Sequence, residues 1–443
     1  MARFSCVVKP AAFLLAAALL CTAGGCKPGG ETSRVTEVSG GVTSAEMPTD
    51  PEATEPSQST DGSTTPGSSD SQSKKSTGGT TKVQEPGKTT AKKATTTSTA
   101  GVTTSPSAAT SSYVTGEQYG VHDTLLTYIC SDGISNRLSK KRLLSSIAYI
   151  KDGQIKDTLF DSFVILPSPN YLYNYGAADW GMKPLTKADW LNYITNEQFA
   201  KDVNVDAINA AVGETKQALG RRDYKATIFM SLFYPVKSVT SFGEVNGKNL
   251  NLNNIADRKA AVKWMVDEQI RQFTAKNYQN LRLGGFYWFP EAIEPTDMEV
   301  AEILKDVTDY VRSKNCITTW IPYHGAPGYD KAHELGFDLA CMQANYFGDG
   351  APNAGGKERL AKTDTLIKKR KLGFCIELGG GDKKAIAILK DYLSVGAELG
   401  YINAYHMYYL GGGPNEVEKM ANSAKPEIRS GYDELYKFIK KAL

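Results

Sequence analysis

Residues 283–291 read LGGFYWFPE and residues 372–377 read LGFCIE, two short apolar, aromatic-rich runs that each end on a glutamate, Glu291 and Glu377. Short runs rich in β-branched or aromatic residues are the signature of buried strands. Six more follow the same pattern, at 125–130, 160–166, 226–234, 316–323, 337–347 and 402–409. In chain order the two glutamate runs are therefore the fourth and seventh of eight strands.

Amphipathic segments lie between these runs. Within 296–315, Val300, Ile303, Leu304, Val307, Tyr310 and Val311 recur at intervals of three and four, forming one apolar stripe of a helix. Thr296 and Glu299 have the spacing of a capping box at its start. Val262, Met265, Val266, Ile270 and Phe273 form a second stripe ahead of the fourth strand, and Asp382 is placed to cap a helix carrying Ile386, Leu389 and Leu393. Strands alternating with helices pair in parallel through right-handed crossovers, and a count of eight predicts an α/β fold closed as a (β/α)8 TIM barrel. Closure leaves no open edge and the chain has no heptad run, so a monomer is expected. The long connections 131–159 and 167–224 hold Tyr171, Tyr173, Tyr175, Trp180 and Trp190. They read either as insertions at the catalytic face or as loops packed over the barrel.

The barrel occupies only part of the 443 residues. Arg3 and Lys9 flank an apolar core at 11–20, and small residues follow up to Cys26, the pattern of an export signal over residues 1–25. Ala23-Gly24-Gly25-Cys26 resembles a bacterial lipobox, in which the cysteine thiol carries a lipid; the alternative is an ordinary secretory peptide. Residues 26–115 are Ser, Thr, Gly, Pro and Lys with few aliphatic side chains, too little apolar surface to offset the entropy of ordering, and so a disordered linker. The composition changes at Tyr113, and 116–443 is the barrel domain. The expected location is extracytoplasmic, as a cell-surface lipoprotein held to the membrane at Cys26 or as a secreted protein.

Composition also excludes several kinds of chemistry. A net charge of +3, with basic and acidic residues intermixed, offers no face for nucleic acid. Seven cysteines and four histidines show no metal-ligand spacing, so no metal and no cofactor are called for. There is no Gly-x-Ser-x-Gly elbow and no phosphate-cradling Gly-x-x-x-x-Gly-Lys loop. Cys130, Cys316, Cys341 and Cys375 sit in or beside strand-like runs and read as small buried residues.

Two carboxylates at strand ends four and seven face one cavity at the C-terminal mouth of such a barrel. With a backbone radius of about 7 Å, those strand ends lie roughly 13 Å apart; each glutamate reaches about 4 Å inward, leaving on the order of 5 Å between carboxyl groups. That spacing fits retaining glycoside hydrolysis, whereas inversion needs roughly 6.5–9.5 Å to seat a water. In this scheme Glu377 is the nucleophile. Glu291, beside Tyr287 and Phe289, is the acid and then the base, its proton retained by an apolar wall. Gln343 and Asn345 are candidates to bind sugar hydroxyls or orient Glu377, and Tyr287, Trp320, Tyr323, His324, His406 and Tyr408 are further candidates for the mouth. Each also has a plainer reading as core packing or a structural hydrogen bond.

The segments 285–293 (GFYWFPEAI), 320–329 (WIPYHGAPGY), 335–347 (LGFDLACMQANYF) and 373–378 (GFCIEL) resemble, in this order, a family of secreted bacterial proteins catalogued as a domain of unknown function and related to barrel glycoside hydrolases. The resemblance spans about 124–440. It implies a glycosidase-like barrel with Glu291 and Glu377 in the acidic positions, acting on a carbohydrate polymer or oligosaccharide. One departure stands out against the large glycosidase clan with its acid on strand four. There the acid commonly follows an Asn, and here Pro290 precedes it, so the hydrogen bond to the sugar 2-hydroxyl must come from elsewhere, for example from Asn345. The alternative function is a non-catalytic polysaccharide-binding surface lipoprotein with the same barrel.

Overall fold

The eight predicted runs form eight parallel strands in the computed structural model: β1 (Asp123–Tyr128), β2 (Ser162–Leu166), β3 (Ala226–Leu232), β4 (Leu281–Trp288), β5 (Ile317–Trp320), β6 (Leu339–Gln343), β7 (Gly373–Leu378) and β8 (His406–Leu410). They pair in sequence order, and β8 returns to β1 to close the barrel. The structure describes residues 112–131, 134–135, 137–174, 181–347 and 356–443, with backbone alone at 130–131 and 134–135. The export signal, the linker through residue 111, Cys26, Tyr175, Trp180 and the Cys130 side chain lie outside the described residues.

Helices α1 (Lys140–Ile147), α2 (Asn204–Leu219), α3 (Ile255–Lys276), α4 (Val300–Ser313), α5 (Glu358–Arg370), α6 (Lys383–Leu399), α7 (Pro414–Ala421) and α8 (Pro426–Ile439) follow the strands. Between β5 and β6 there is only a short 3-10 turn, Tyr329–Lys331. The apolar stripes predicted for α3 and α4 are buried at Val262, Met265, Val266, Val300, Ile303, Leu304, Val307 and Val311. Asp382 caps α6 by accepting from the Ala385 amide at 2.8 Å. The capping box expected at Thr296 is absent. Helix α4 starts only at Val300, Thr296 instead bonds the Glu294 carboxylate, and Asp297 receives the Glu299 amide at 3.2 Å. Asp297 is also committed to a buried ion pair with Arg258.

Side-chain alternation assigns the barrel interior. The Tyr405 hydroxyl meets Thr124 Oγ1 at 2.7 Å, Thr124 Oγ1 meets Ser162 Oγ at 2.6 Å, and Thr319 Oγ1 approaches the Met407 sulfur at 3.4 Å. Toward the C-terminal mouth Tyr128 and Tyr409 pack edge to face, 6.1 Å between ring centroids. On β8 the odd-numbered residues therefore face in and the even-numbered face out. The globular unit begins slightly before 116: Tyr113 bonds Asp364 at 2.7 Å, and Val114 hydrogen-bonds Leu372 and Tyr405. Cys316, Cys341 and Cys375 are free and buried. Among the described residues no helix is long and apolar enough to cross a membrane.

Candidate active site

Glu377 is the penultimate residue of β7, while Glu291 lies three residues beyond the end of β4. The difference is due to Pro290, which has no N–H to continue the ladder and ends the strand. The loop carrying Glu291 is instead pinned by its neighbours. Trp320 Nε1 donates to the Pro290 carbonyl at 2.7 Å, and the Tyr323 amide donates to the Glu291 carbonyl at 3.3 Å. Further along the loop, Asp297 binds the fully buried Arg258, whose second nitrogen reaches Glu299 at 3.0 Å. Burial alone would raise Asp297, but hydrogen bonds from Arg258, Tyr234 and Lys237 hold it well below the usual carboxylate range. The candidate acid therefore sits on a loop tied down at both ends.

Two amides span the gap between the glutamates. Gln343, at the end of β6, lies beside Glu291, where it favours the ionised carboxyl, and accepts the Asn345 side-chain amide at 3.1 Å. That same Asn345 nitrogen is 3.5 Å from Glu377 Oε1, and the Asn345 backbone N–H donates to Glu377 Oε2 at 2.6 Å. Asn345 makes both contacts because it is in the left-handed region, with φ 52°, which asparagine tolerates better than most residues. The His324 amide fixes its Oδ1 at 3.2 Å, and Arg359 Nε holds the preceding Ala344 carbonyl at 2.9 Å. Period-two spacing predicted Gln343 and Asn345 on one face of a strand. The strand ends at Gln343, and a turn delivers Asn345 to the same place.

Both carboxyls are withdrawn from water, Glu377 fully buried and Glu291 half-buried, and they differ in donors. Burial raises Glu291 to about 7, opposed by the hydrogen bond from Gln343. Burial also raises Glu377 to about 7, opposed by Tyr392 and the Asn345 amide and reinforced by the charge of Glu291. The Tyr392 hydroxyl, on α6, donates to Glu377 Oε2 at 2.8 Å and receives the Tyr346 amide at 3.2 Å. Hydrogen bonds to the ionised form favour it, and Glu377 has more of them than Glu291, while the pair releases its protons as one coupled unit.

Tyr287 is buried in the interior, where burial and the nearby Glu291 charge keep its phenol protonated; Tyr323 also lies within reach of that charge. Four other candidates do not form a sugar-facing mouth. Trp320 is fully buried and stacked on Phe337 at 4.9 Å, so it supports the Glu291 loop and offers no platform. The His324 ring turns to α5, bonds Thr363 at 2.8 Å, and is lowered to about 4 by burial and by Arg359 and Lys362. Only its backbone serves the site. His406 and Tyr408 are on the outward phase of β8: His406 bonds Asp123 and the Tyr401 carbonyl, and the Tyr408 hydroxyl bonds Asp123 at 2.6 Å. The β8 residue at the mouth is Tyr409, in register with Glu377. Tyr173 from the β2–β3 insertion lies 5.9 Å from Phe289, whereas Trp190 packs against Phe233 and Phe242.

Tyr392, Tyr409, Tyr128 and Arg359 were missed from sequence. Tyr409 closes the 402–409 run as Glu291 closes its own, which is a usable signal; Tyr392 in a helical stripe gives none. Among the described residues no cluster of three or more His, Cys, Asp or Glu could hold a metal.

No curated protein matches the chain. Solved structures similar to it include an endo-β-1,4-mannanase from Thermotoga petrophila (13% identity, 72% of this chain and 76% of that one, TM-score 0.39). A putative α-L-fucosidase from Bacteroides thetaiotaomicron is 11% identical over 71% and 93%, with TM-score 0.37. A mutant tryptophan synthase α-subunit from Pyrococcus furiosus is 12% identical over 71% and 97%, with TM-score 0.30. Activities this varied, at such low similarity, say nothing of this chain's chemistry. The family is shown by a match over residues 123–437, and the chain belongs to the family described as Domain of unknown function (DUF4855).

Proposed function

We propose that this protein is a retaining glycoside hydrolase acting on an extracellular poly- or oligosaccharide, with Glu377 as nucleophile and Glu291 as acid and then base. The observation that carries the reading is the unequal solvation of two linked carboxyls. Among the described residues Glu377 has three donors, the Asn345 amide and side chain and Tyr392, whereas Glu291 has the Gln343 side chain beside it. In the first step Glu377 attacks the anomeric carbon while Glu291 protonates the departing glycosidic oxygen. In the second, Glu291 takes a proton from water as the water displaces Glu377. In this reading Asn345, hydrogen-bonded to Glu377, serves the sugar 2-hydroxyl in the absence of an Asn before the acid.

The test pairs two variants against a panel of plant, host and bacterial glycans. Glu291→Gln is expected to abolish cleavage of substrates with poor leaving groups. Glu377→Ala is expected to be inactive until azide is added, then to release a glycosyl azide of defined anomeric configuration. If both variants cleave what the wild type cleaves at wild-type rate, the roles are wrong. A second reading, polysaccharide binding without turnover, draws support from Glu377 being only 1% exposed; it predicts that both variants bind as the wild type does and that no member of the panel is cut. We propose further that the protein is extracytoplasmic, a cell-surface lipoprotein anchored at Cys26. Mass spectrometry of the mature N-terminus tests this, and an unmodified first residue other than Cys26 refutes it.

A further inference from the structure

The loops leaving β7 and β8 each carry three glycines in a row, Gly379-Gly380-Gly381 and Gly411-Gly412-Gly413. They lie beside Glu377 and Tyr409 at the C-terminal mouth, and they touch: a side-chain carbon at Gly411 would stand 3.6 Å from the Gly380 nitrogen. No hydrogen bond joins the amides of Gly380, Gly381 or Gly412 to a described residue. Glu416, from the first turn of α7, projects between the loops. It is 8% exposed, and its Oε1 is paired with Lys419 at 2.5 Å. Its Oε2 is buried and has no partner among the described residues. A methyl at Gly381 would stand 2.5 Å from that oxygen, and one at Gly412 would stand 3.6 Å from Oε1.

A buried carboxylate oxygen without a donor is a costly arrangement unless something else completes it. In barrels of this architecture the loops after strands seven and eight, with a short helix behind them, often hold a phosphate. Here the carboxylate projecting into the cradle would repel an anion. Free N–H donors beside an acceptor instead match a group that both gives and receives hydrogen bonds, and each hydroxyl of a sugar does so. Without side chains at six positions, a pyranose ring can approach the backbone closely.

We propose, resting on the glycosidase reading above, that the two glycine triplets and Glu416 form a subsite for a neutral sugar unit next to the one cleaved. Vicinal hydroxyls donate to Glu416 Oε2 and accept from the glycine amides. Gly380 is the open side of the cradle, since no described residue lies within 4 Å of where its side chain would be.

That open space supplies the test. Gly380→Ala adds one methyl that meets no described residue within 4 Å, at a residue outside the left-handed region, so it narrows the subsite without disturbing the described fold. Glu416→Gln removes the charge and keeps the shape. Both are made in the mature full chain carrying Glu291→Gln. Binding is measured by calorimetry to neutral mannan, xyloglucan and chitin oligosaccharides, and to phosphorylated or sulfated counterparts, with melting curves recorded for each variant. Each substitution is expected to weaken binding of the neutral oligosaccharides by roughly tenfold or more, the loss of one good polar contact or a steric intrusion. Unchanged binding by Gly380→Ala removes the subsite and leaves the Glu291 and Glu377 roles standing. Tighter binding of the phosphorylated or sulfated probes overturns the neutral-sugar assignment. If the parent protein binds no glycan on the panel, the subsite falls together with the glycosidase reading.

Discussion

Replacing Glu291 with glutamine should make the protein more stable at alkaline pH, and the size of the effect follows from the site. Burial pushes the folded carboxyl up to about 7, against an ordinary 4.5. The folded state therefore holds this proton more tightly than the unfolded chain. The stabilisation linked to it is complete below about pH 4.5 and is lost as pH rises through about 7. At about 1.4 kcal/mol per pKa unit, the swing is about 3 kcal/mol by pH 8, reduced to about 2–3 because Glu291 is partly exposed. A glutamine of nearly the same shape carries no proton and has no such loss. It also removes the charge that raises Glu377, which adds in the same direction. With an unfolding entropy of roughly 0.7 kcal/mol/K for ~330 residues, the Glu291→Gln protein should melt about 3–4 °C above the wild type at pH 8. At pH 4 the two should melt together. Calorimetric scans at both pH values decide the matter. A variant equal to or less stable than the wild type at pH 8 would mean that Glu291 is comfortably ionised in the fold, and an ionised Glu291 cannot donate a proton to a leaving group.

Three other perturbations probe the supporting structure. Tyr392→Phe removes a donor from Glu377 and should raise that carboxyl by about one pKa unit, moving the acidic limb of the pH–rate profile to higher pH; an unmoved limb would show that Glu377 ionises without it. Trp320→Phe deletes the hydrogen bond to Pro290. It should cost about 1–3 kcal/mol of stability and lower kcat with KM little changed, whereas a sugar platform would show mainly in KM. Arg258→Met leaves Asp297 buried without its main partner and should destabilise the domain by about 3–5 kcal/mol in urea titrations. A loss below about 1 kcal/mol would mean that Lys237 and Tyr234 suffice.

Much of this was legible before any coordinates. The eight strands and their order follow from apolar runs set at regular intervals between amphipathic stripes, a pattern carried by local composition. The two glutamates were legible for the same reason, since each closes such a run. The errors on β8 have one cause. On β8 the runs named His406 and Tyr408 for the mouth, but a strand's two faces differ only by one residue of phase, and a strand buried on both faces gives no polar alternation from which to read it. Tyr409 is inside because of how β8 pairs with β1 and β7.

By itself, then, the sequence determined the closed α/β barrel and the chain positions of its two acidic residues, because hydrophobic periodicity is a local property. Only the tertiary structure decided what surrounds those acids. Tyr392 reaches Glu377 from a helix fifteen residues downstream, Asn345 reaches it from thirty-two residues upstream, and Trp320 holds Glu291's loop from thirty residues beyond Pro290. Hydrogen bonds across such separations leave no trace in spacing or composition, because they exist only once the ring has closed and brought the strand ends together.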